Sequence, residues 1–161
     1  GQSAKVVAEK CGFPVPEDLK VILVKASAWG KDDILSKEKM CPVIATYDGI
    51  PDWETCISVA YANLNVEGKG HSVCIHSNTT AHVEAAARVL PVSRFIVNQI
   101  CSTSAGGSFL NGLSGTTTLG CGSWGNNSIS ENLSWRHMFN VSRIAYVRPG
   151  STVPTDEEIW S

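Results

Sequence analysis

The fold is decided by residues 72–98, which read SVCIHSNTTAHVEAAARVLPVSRFIVN. This stretch opens with a compact apolar run, Ser72–His76, and continues with a helical pattern from Thr79 to Leu90 that Pro91 ends. It closes with a second apolar run, Arg94–Asn98. Both runs have the length of buried strands. Strand, helix and strand with short connections predict a right-handed βαβ crossover in a parallel sheet.

Two more strands and a helix are predicted upstream of this stretch. Lys20–Lys25 and Pro42–Tyr47 are predicted strands, and a helix is predicted to begin with Pro51 at its first position, followed by Asp52 and Glu54 in the first turn. The apolar positions of this helix recur at helical spacing, at Trp53, Cys56, Ile57, Ala60 and Tyr61. We therefore predict the α/β class, with three α/β/α layers around a mostly parallel sheet that contains two consecutive βαβ units.

Composition excludes several classes of partner. The chain has 161 residues, of which 43% are hydrophobic and 17% charged, with a net charge of -2. Its Lys and Arg residues are scattered, whereas a nucleic-acid or membrane-surface protein needs a clustered basic face. No apolar run approaches the roughly 18 residues of a membrane-spanning helix. We expect a globular protein that binds neither nucleic acid nor membrane.

The six cysteines allow two interpretations. An even number could form three disulfides in a secreted protein, but the chain has no C-x-x-C and enough apolar residues for a core. Reduced thiols in the cytoplasm are favoured. Cys101 follows a strand directly and could be taken for a nucleophile, but no local motif places a base beside it.

A glycine-rich segment follows the last of these strands. Residues 102–134 contain half of the 14 glycines, and apolar residues such as Trp124 indicate a packed loop. Gly120–Gly125 matches the dinucleotide pattern G-x-G-x-x-G, but no βαβ unit follows and no acidic residue lies about 20 residues on. Glycines that let the backbone pass close to a substrate or a neighbouring loop explain the pattern better.

His71, Cys74, His76 and His82 are close in sequence, but they do not make a convincing metal site. Alternation along a strand places Cys74 and His76 on one face and His71 on the other, so the four cannot converge on one ion. No metal site is predicted. Taken alone, His71 is most simply a structural histidine. Glu38 lies between Lys37 and Lys39 and, taken alone, is most simply part of a solvated loop.

Several segments, in order, resemble the CoA-acylating aldehyde dehydrogenases. The most specific is Thr118–Gly125, TLGCGSWG, with the Asn127–Asn132 segment after it. This region is similar to the aldehyde dehydrogenase domain of bifunctional aldehyde-alcohol dehydrogenases. It is also similar to the acylating succinate-semialdehyde and sulfoacetaldehyde dehydrogenases. Weaker matches are Gly1–Ala4, Phe13–Asp18, Glu38–Val43, Gly70–His71 and Val97–Asn98.

The resemblance implies roles for individual residues. Glu38 stands where the family glutamate binds the nicotinamide ribose hydroxyls, and Met40 where a side chain contacts the nicotinamide ring. His71 and Asn98 fall at positions near the mouth of the active site. Gly120, Gly122 and Trp124 belong to a loop that would line the aldehyde and acyl-CoA side, so Glu38 and Gly122 are expected to flank one cleft.

The resemblance also implies a division of the chain. Residues 1–140 would be part of an aldehyde dehydrogenase catalytic domain, and residues 141–161 a terminal strand and tail, in which residues 142–148 pair subunits of a homo-oligomer. The nucleophilic cysteine and the dinucleotide-binding domain would lie upstream of residue 1, so the chain alone is expected to be inactive.

The implied reaction converts an aldehyde, CoA and NAD or NADP to acyl-CoA and the reduced cofactor, in the cytoplasm or, alternatively, in a bacterial microcompartment. An acidic aldehyde would require Arg94, Arg136 or Arg143 in the pocket, and the sequence does not choose among them. Two alternatives stay open. One is a non-catalytic oligomerisation or regulatory module, and the other is a freestanding nucleotide-binding protein built on Gly120–Gly125.

Overall fold

The computed structural model describes residues 1–161. The chain has four short strands and five α-helices, and single turns of 3₁₀ helix occupy some of the connections, including the one between the first two strands. In chain order the elements are α1 (Ala4–Lys10), β1 (Ile22–Lys25), β2 (Val43–Thr46), α2 (Trp53–Val66), β3 (Gly70–Ile75), α3 (Thr80–Val89), β4 (Val92–Val97), α4 (Cys101–Ser104) and α5 (Asp156–Trp160). The predicted α/β class is confirmed, and every strand and helix predicted upstream of residue 98 is present, with bounds that differ by at most two residues.

The strands form two separate parallel pairs. β1 pairs with β2, beginning with Ile22 opposite Val43, and β3 pairs with β4, beginning with Gly70 opposite Val92. β2 and β3 are not hydrogen-bonded to each other. The prediction of parallel pairing is therefore correct, but the continuous sheet of two βαβ units is wrong for this chain, because only β3, α3 and β4 close such a unit.

Helix α2 begins later than predicted. Its N-cap is Asp52, whose side chain accepts a hydrogen bond from the Thr55 amide at 2.7 Å, so Pro51 lies outside the helix. The helix begins after Asp52 because the side chain of this residue accepts a hydrogen bond from a free amide of the first turn. A proline side chain has no acceptor for that amide. The Trp53 indole N–H donates to the His82 carbonyl at 3.0 Å, and the two rings stack, which joins α2 to α3.

The hydrophobic core is small. Ile57, Ile75, Ala86 and Leu90 form its buried centre, between α2, α3 and the β3–β4 pair. Only 16 of the 161 residues are buried, and many large apolar side chains are exposed. Since burial of apolar surface drives folding and association, the chain leaves unused apolar surface for further contacts.

The last part of the chain divides into a packed loop and an exposed tail. Asn132 is buried and donates to the carbonyls of Ala105 and Ser114, which orders the glycine-rich segment as predicted. The strand predicted over residues 142–148 is not formed; these residues are irregular and exposed. A strand needs a neighbour for its backbone hydrogen bonds, and no segment of this chain pairs with it. No helix has the length and apolar character needed to cross a membrane.

Candidate functional site

A cleft of about 510 Å³ lies between β2 and β3, which are not hydrogen-bonded to each other. Its walls are the 35–39 loop, β2, the last turn of α2 and the first residues of β3. Glu38 and His71, which are 33 residues apart in sequence, both line it. The structure thus brings together two of the residues singled out from the sequence.

The carboxylate of Glu38 is free to bind a ligand. Its backbone N–H donates to the Glu67 carboxylate at 2.6 Å, which fixes the loop to the end of α2, but the Glu38 side chain has no hydrogen-bond or ion-pair partner. The neighbouring ammonium of Lys39 binds the carbonyls of Leu35 and Lys37 instead. A free carboxylate in a cleft can accept hydrogen bonds from both hydroxyls of a diol.

His71 joins this cleft to the glycine-rich loop. The residue before it, Gly70, has φ +81°, and a Cβ there would overlap the carbonyl and side chain of Cys121. Only glycine allows so close an approach of the two backbones. The loop therefore lies against the start of β3, beside His71. Gly122 does not itself line the cleft, so Glu38 and Gly122 are connected through Gly70 and His71 rather than facing each other.

The amides at the start of the glycine-rich loop, those of Gly120, Cys121 and Gly122, are already hydrogen-bonded. The Gly120 N–H donates to the Glu131 carbonyl at 3.0 Å, and the Gly122 N–H donates to the Ile129 carbonyl at 2.8 Å. The Asn127 side-chain oxygen accepts from the amides of Cys121 and Gly122 at 2.9 Å each. A phosphate-binding loop needs free N–H groups, so this geometry supports the interpretation of Gly120–Gly125 as a packing loop.

Arg94 holds the loop and the strand together. It is 4% exposed, and its guanidinium donates to the Gly120 carbonyl at 2.8 Å, the His71 carbonyl at 3.0 Å and the Ser72 hydroxyl at 3.0 Å. No carboxylate lies beside it in any ion pair. Because its donors are committed to these groups, Arg94 is not available for an acidic substrate.

Asn98 lies away from the cleft. Its amide donates to the Ile75 carbonyl at 2.9 Å, at the end of β3, whereas His71 is at the start of the same strand. At about 3.3 Å per residue the two ends are about 13 Å apart. Asn98 has φ +53°, and its side chain bonds both backbone groups of Ser77. His71 and Asn98 therefore lie at opposite ends of β3, and their position near the mouth of the active site stays a prediction.

Four further sequence candidates are exposed. Met40 is 80% exposed and does not line the cleft. Trp124 is 51% exposed. The guanidinium of Arg136 lies 5.5 Å from the centre of the Trp135 ring, and Arg143 belongs to the irregular tail. None of these contacts the Glu38 carboxylate.

Thiol and imidazole groups meet at the opposite end of β3. The Cys74 sulfur lies 3.3 Å from His76 Nε2 and 2.9 Å from the Gln99 carbonyl. Burial raises the pKa of the nearby Cys101 thiol, the charge of Cys74 raises it further, and Arg94 lowers it. The structure holds no group of three or more His, Cys, Asp or Glu side chains placed to bind a metal ion.

Sequence reasoning missed one residue of the site, Glu67, and the role of another, Arg94. Glu67 looked like a surface residue at a helix end, and no pattern linked it to Glu38. The role of Arg94 had a signal, because it alternates with Val92 and Ile96, which are both buried. An arginine in the inward phase of a strand indicates a buried cation with many acceptors.

Comparison with known proteins decides the family. The chain matches no protein-family model. It is 50% identical over 162 residues to the acetylating succinate-semialdehyde dehydrogenase of Clostridium kluyveri, covering 99% of the chain and 35% of that enzyme. This chain belongs to the acylating aldehyde dehydrogenase family. The acylating sulfoacetaldehyde dehydrogenase of Cupriavidus necator is 38% identical over 147 residues, which cover 90% of the chain and 30% of the enzyme.

Solved structures agree with this family. An acetylating aldehyde dehydrogenase from Geobacillus thermoglucosidasius superposes with a TM-score of 0.84 at 32% identity, covering 97% of the chain and 34% of that structure. A propionaldehyde dehydrogenase from Clostridium phytofermentans, with a TM-score of 0.59 and 20% identity, supports the fold alone. The chain thus spans about a third of the length of the acylating aldehyde dehydrogenases it matches.

Proposed function

We propose that this chain forms one wall of the active site of a CoA-acylating aldehyde dehydrogenase, which converts an aldehyde, CoA and NAD or NADP to acyl-CoA and the reduced cofactor. The observation that carries the proposal is the cleft in which the free carboxylate of Glu38 and the imidazole of His71 stand together. The identity to acylating aldehyde dehydrogenases over nearly the whole chain supports it.

The cleft fits part of a nicotinamide cofactor. It is lined by the carboxylates of Glu38 and Glu67 and by Lys37 and Lys39, and the free carboxylate of Glu38 suits the two hydroxyls of a ribose. Glu38 would hold that sugar, and the bound nicotinamide would supply hydride acceptance. His71 stands at the junction with the glycine-rich loop, where it can orient a polar substrate group. The attacking thiol would come from a part of the enzyme outside these 161 residues.

The names of two relatives support a proposal for the substrate class. The enzymes from C. kluyveri and C. necator are named for succinate semialdehyde and sulfoacetaldehyde, which are both anionic aldehydes. We extend the proposal to an aldehyde with a carboxylate or sulfonate. Arg94 is excluded as its partner by its committed donors, so the cation would be Arg136, Arg143 or a residue outside this chain. All six cysteines are unpaired, which supports a reducing, cytoplasmic setting.

Reconstitution tests the proposal. The 161-residue chain alone is expected to form no NADH from succinate semialdehyde and CoA, whereas co-expression with the remaining two thirds of the C. kluyveri enzyme should restore the reaction. Glu38→Gln in the reconstituted enzyme should raise KM for the cofactor on the order of tenfold, because charged hydrogen bonds to the ribose are weakened. Both effects are measured by NADH absorbance.

Glu84→Gln, an exposed helix substitution, is the matched control and should leave KM unchanged. Full activity of the isolated chain, or an unchanged cofactor KM in the Glu38 variant, would contradict the proposal. The same experiment examines the alternative, a non-catalytic oligomerisation or regulatory module. That alternative predicts a stable complex with the upstream part but no dependence of activity on Glu38.

A further inference from the structure

We propose that Asn111, which precedes Gly112, is a site of spontaneous covalent modification, where the side chain loses its amide by deamidation once the surrounding loop opens. In the folded chain the same side chain closes that loop, so the modified chain cannot close it again. The site lies in the glycine-rich segment, away from the Glu38 cleft, and does not depend on the aldehyde reaction.

The dipeptide Asn-Gly is chemically labile because glycine has no side chain to hinder attack by its own backbone nitrogen. Asn111–Gly112 is the only Asn-Gly pair in the chain. The Gly112 nitrogen attacks Asn111 Cγ and forms a C–N bond, and Nδ2 leaves as ammonia with the proton of the backbone amide. Water then opens the cyclic imide at either carbonyl and leaves an aspartate or an isoaspartate. The reaction needs no oxidant and no cofactor.

The folded chain holds the side chain of Asn111 by both of its polar atoms. Its Oδ1 accepts hydrogen bonds from the backbone amides of Ser108 and Leu113, at 3.1 Å each. Its Nδ2 donates to the Ser104 carbonyl at 2.9 Å and to Gln99 Oε1 at 3.3 Å. Backbone donors on one side and a backbone acceptor on the other allow only this orientation of the amide.

The attacking nitrogen is held as well. The Gly112 N–H donates to the Ser108 carbonyl at 3.3 Å. Cγ of Asn111 cannot turn toward this nitrogen without breaking the hydrogen bonds of the side chain, so the reaction requires an open loop. Phe109 and Leu110 at the tip of the loop are exposed, and opening therefore disrupts little apolar packing.

The product cannot take over the role of Asn111. An aspartate carboxylate has no N–H group, and its second oxygen would face the Ser104 carbonyl and Gln99 Oε1, which are both acceptors. Ser104 is buried, so water does not readily replace the lost donor. Opening of the loop followed by deamidation is therefore an irreversible step.

The test follows deamidation of each asparagine by peptide mass spectrometry, in the folded chain and in guanidinium chloride, at the same mildly alkaline pH and temperature. In denaturant we expect Asn111 to react first. In the folded chain its reaction should be at least about tenfold slower, because only the open loop reacts. Gly112→Ala, compared with the parent chain in denaturant, should slow the reaction at Asn111, because the added Cβ hinders the attack.

A pair of variants tests whether the product can close the loop. Asn111→Asp and Asn126→Asp change the charge equally, but Asn126 is exposed and only its backbone is hydrogen-bonded. The urea midpoint of Asn111→Asp should be lower than that of the parent chain, whereas the midpoint of Asn126→Asp should stay close to it.

Earlier deamidation of another asparagine in denaturant, or equal rates at Asn111 in the folded and denatured chains, would overturn the proposal. Equal urea midpoints of the two aspartate variants would overturn the closing role of the amide. The rate comparison uses the parent chain, so it stands even where Asn111→Asp does not fold. None of these measurements involves dehydrogenase activity, so failure here is distinct from failure of the proposed function.

Discussion

Arg94 carries a positive charge into the interior without a carboxylate beside it. Its guanidinium donates hydrogen bonds to the carbonyls of His71 and Gly120, which take the place of water. It makes longer hydrogen bonds to the Gly70 carbonyl and the Asn132 side chain. Burial of a cation is costly unless every donor finds an acceptor, and here the acceptors come from β3 and from the glycine-rich loop. A single residue therefore fixes the loop relative to the mouth of the cleft.

We expect Arg94→Met to destabilise the chain by about 3 kcal/mol, because the substitution leaves several buried carbonyls without donors. Urea unfolding, followed by circular dichroism, would show a lower midpoint with an unchanged slope.

Arg88→Met is the control. Arg88 is exposed and its contact with Glu84 at 3.8 Å is a surface ion pair, so the loss should stay below about 0.5 kcal/mol. Equal effects of the two substitutions would show that the Arg94 hydrogen bonds contribute no more than a surface charge.

Helix α2 connects the two strand pairs and supplies the last turn that borders the cleft. Asp52 caps its start, and Asn63 at its other end accepts from the Gly30 amide at 2.8 Å, which anchors the connection between β1 and β2. The helix thus holds Glu67 opposite the loop that contains Glu38. Its position, more than any strand pairing, keeps the cleft open between the two pairs.

The cap of α2 predicts a pH dependence. Hydrogen bonds from Thr55 lower the pKa of the Asp52 carboxyl below its ordinary 3.8. A group whose pKa is lower in the folded state stabilises the fold above its unfolded pKa and loses this contribution as the pH falls through the folded pKa. Asp52→Asn keeps the capping oxygen but cannot titrate, so its loss of stability between about pH 6 and about pH 3 should be smaller than that of the parent chain.

Urea midpoints at the two pH values measure the difference. Asp18→Asn, at an exposed aspartate without a capping role, should retain the full acid-dependent loss. If the two variants respond identically to acid, the cap does not contribute to the pH dependence.

At the scale of the whole molecule, the chain exposes apolar residues that a self-sufficient domain would cover. The tail is the clearest case, because Ile144, Tyr146 and Val147 are between 79% and 88% exposed. Residues 142–148 have no strand partner in the chain, and an extended segment with free backbone groups is a template for pairing with another chain. We propose that this segment pairs subunits of a homo-oligomer.

Ala145→Pro should shift the chain toward the monomer, because proline removes a backbone donor and blocks strand pairing. Sedimentation velocity at several concentrations gives the mass of the particle. Ser151→Pro, in the neighbouring exposed turn, serves as the control and should leave association unchanged. An unaltered oligomer in the Ala145 variant would place the interface elsewhere.

Much of the fold could be predicted from short patterns. Apolar runs located all four strands, and proline and glycine marked the ends of the helices. Of the candidate site residues, Glu38 and His71 share a cleft, whereas Asn98 lies at the other end of β3 and Met40 is exposed. The roles of these residues stay predictions. A local sequence pattern shows whether a segment is a strand or a helix. It does not show at which end of the sheet a residue lies, because that depends on how the strands align.

The sequence by itself determined the α/β class, the parallel direction of the strands, the packed glycine-rich loop and the family, because these depend on local periodicity and on residues in series. Only the tertiary structure decided that β2 and β3 are not hydrogen-bonded to each other and that the Arg94 guanidinium binds the glycine-rich loop. These are long-range contacts, and their free energy depends on which groups are buried together, which no local pattern records.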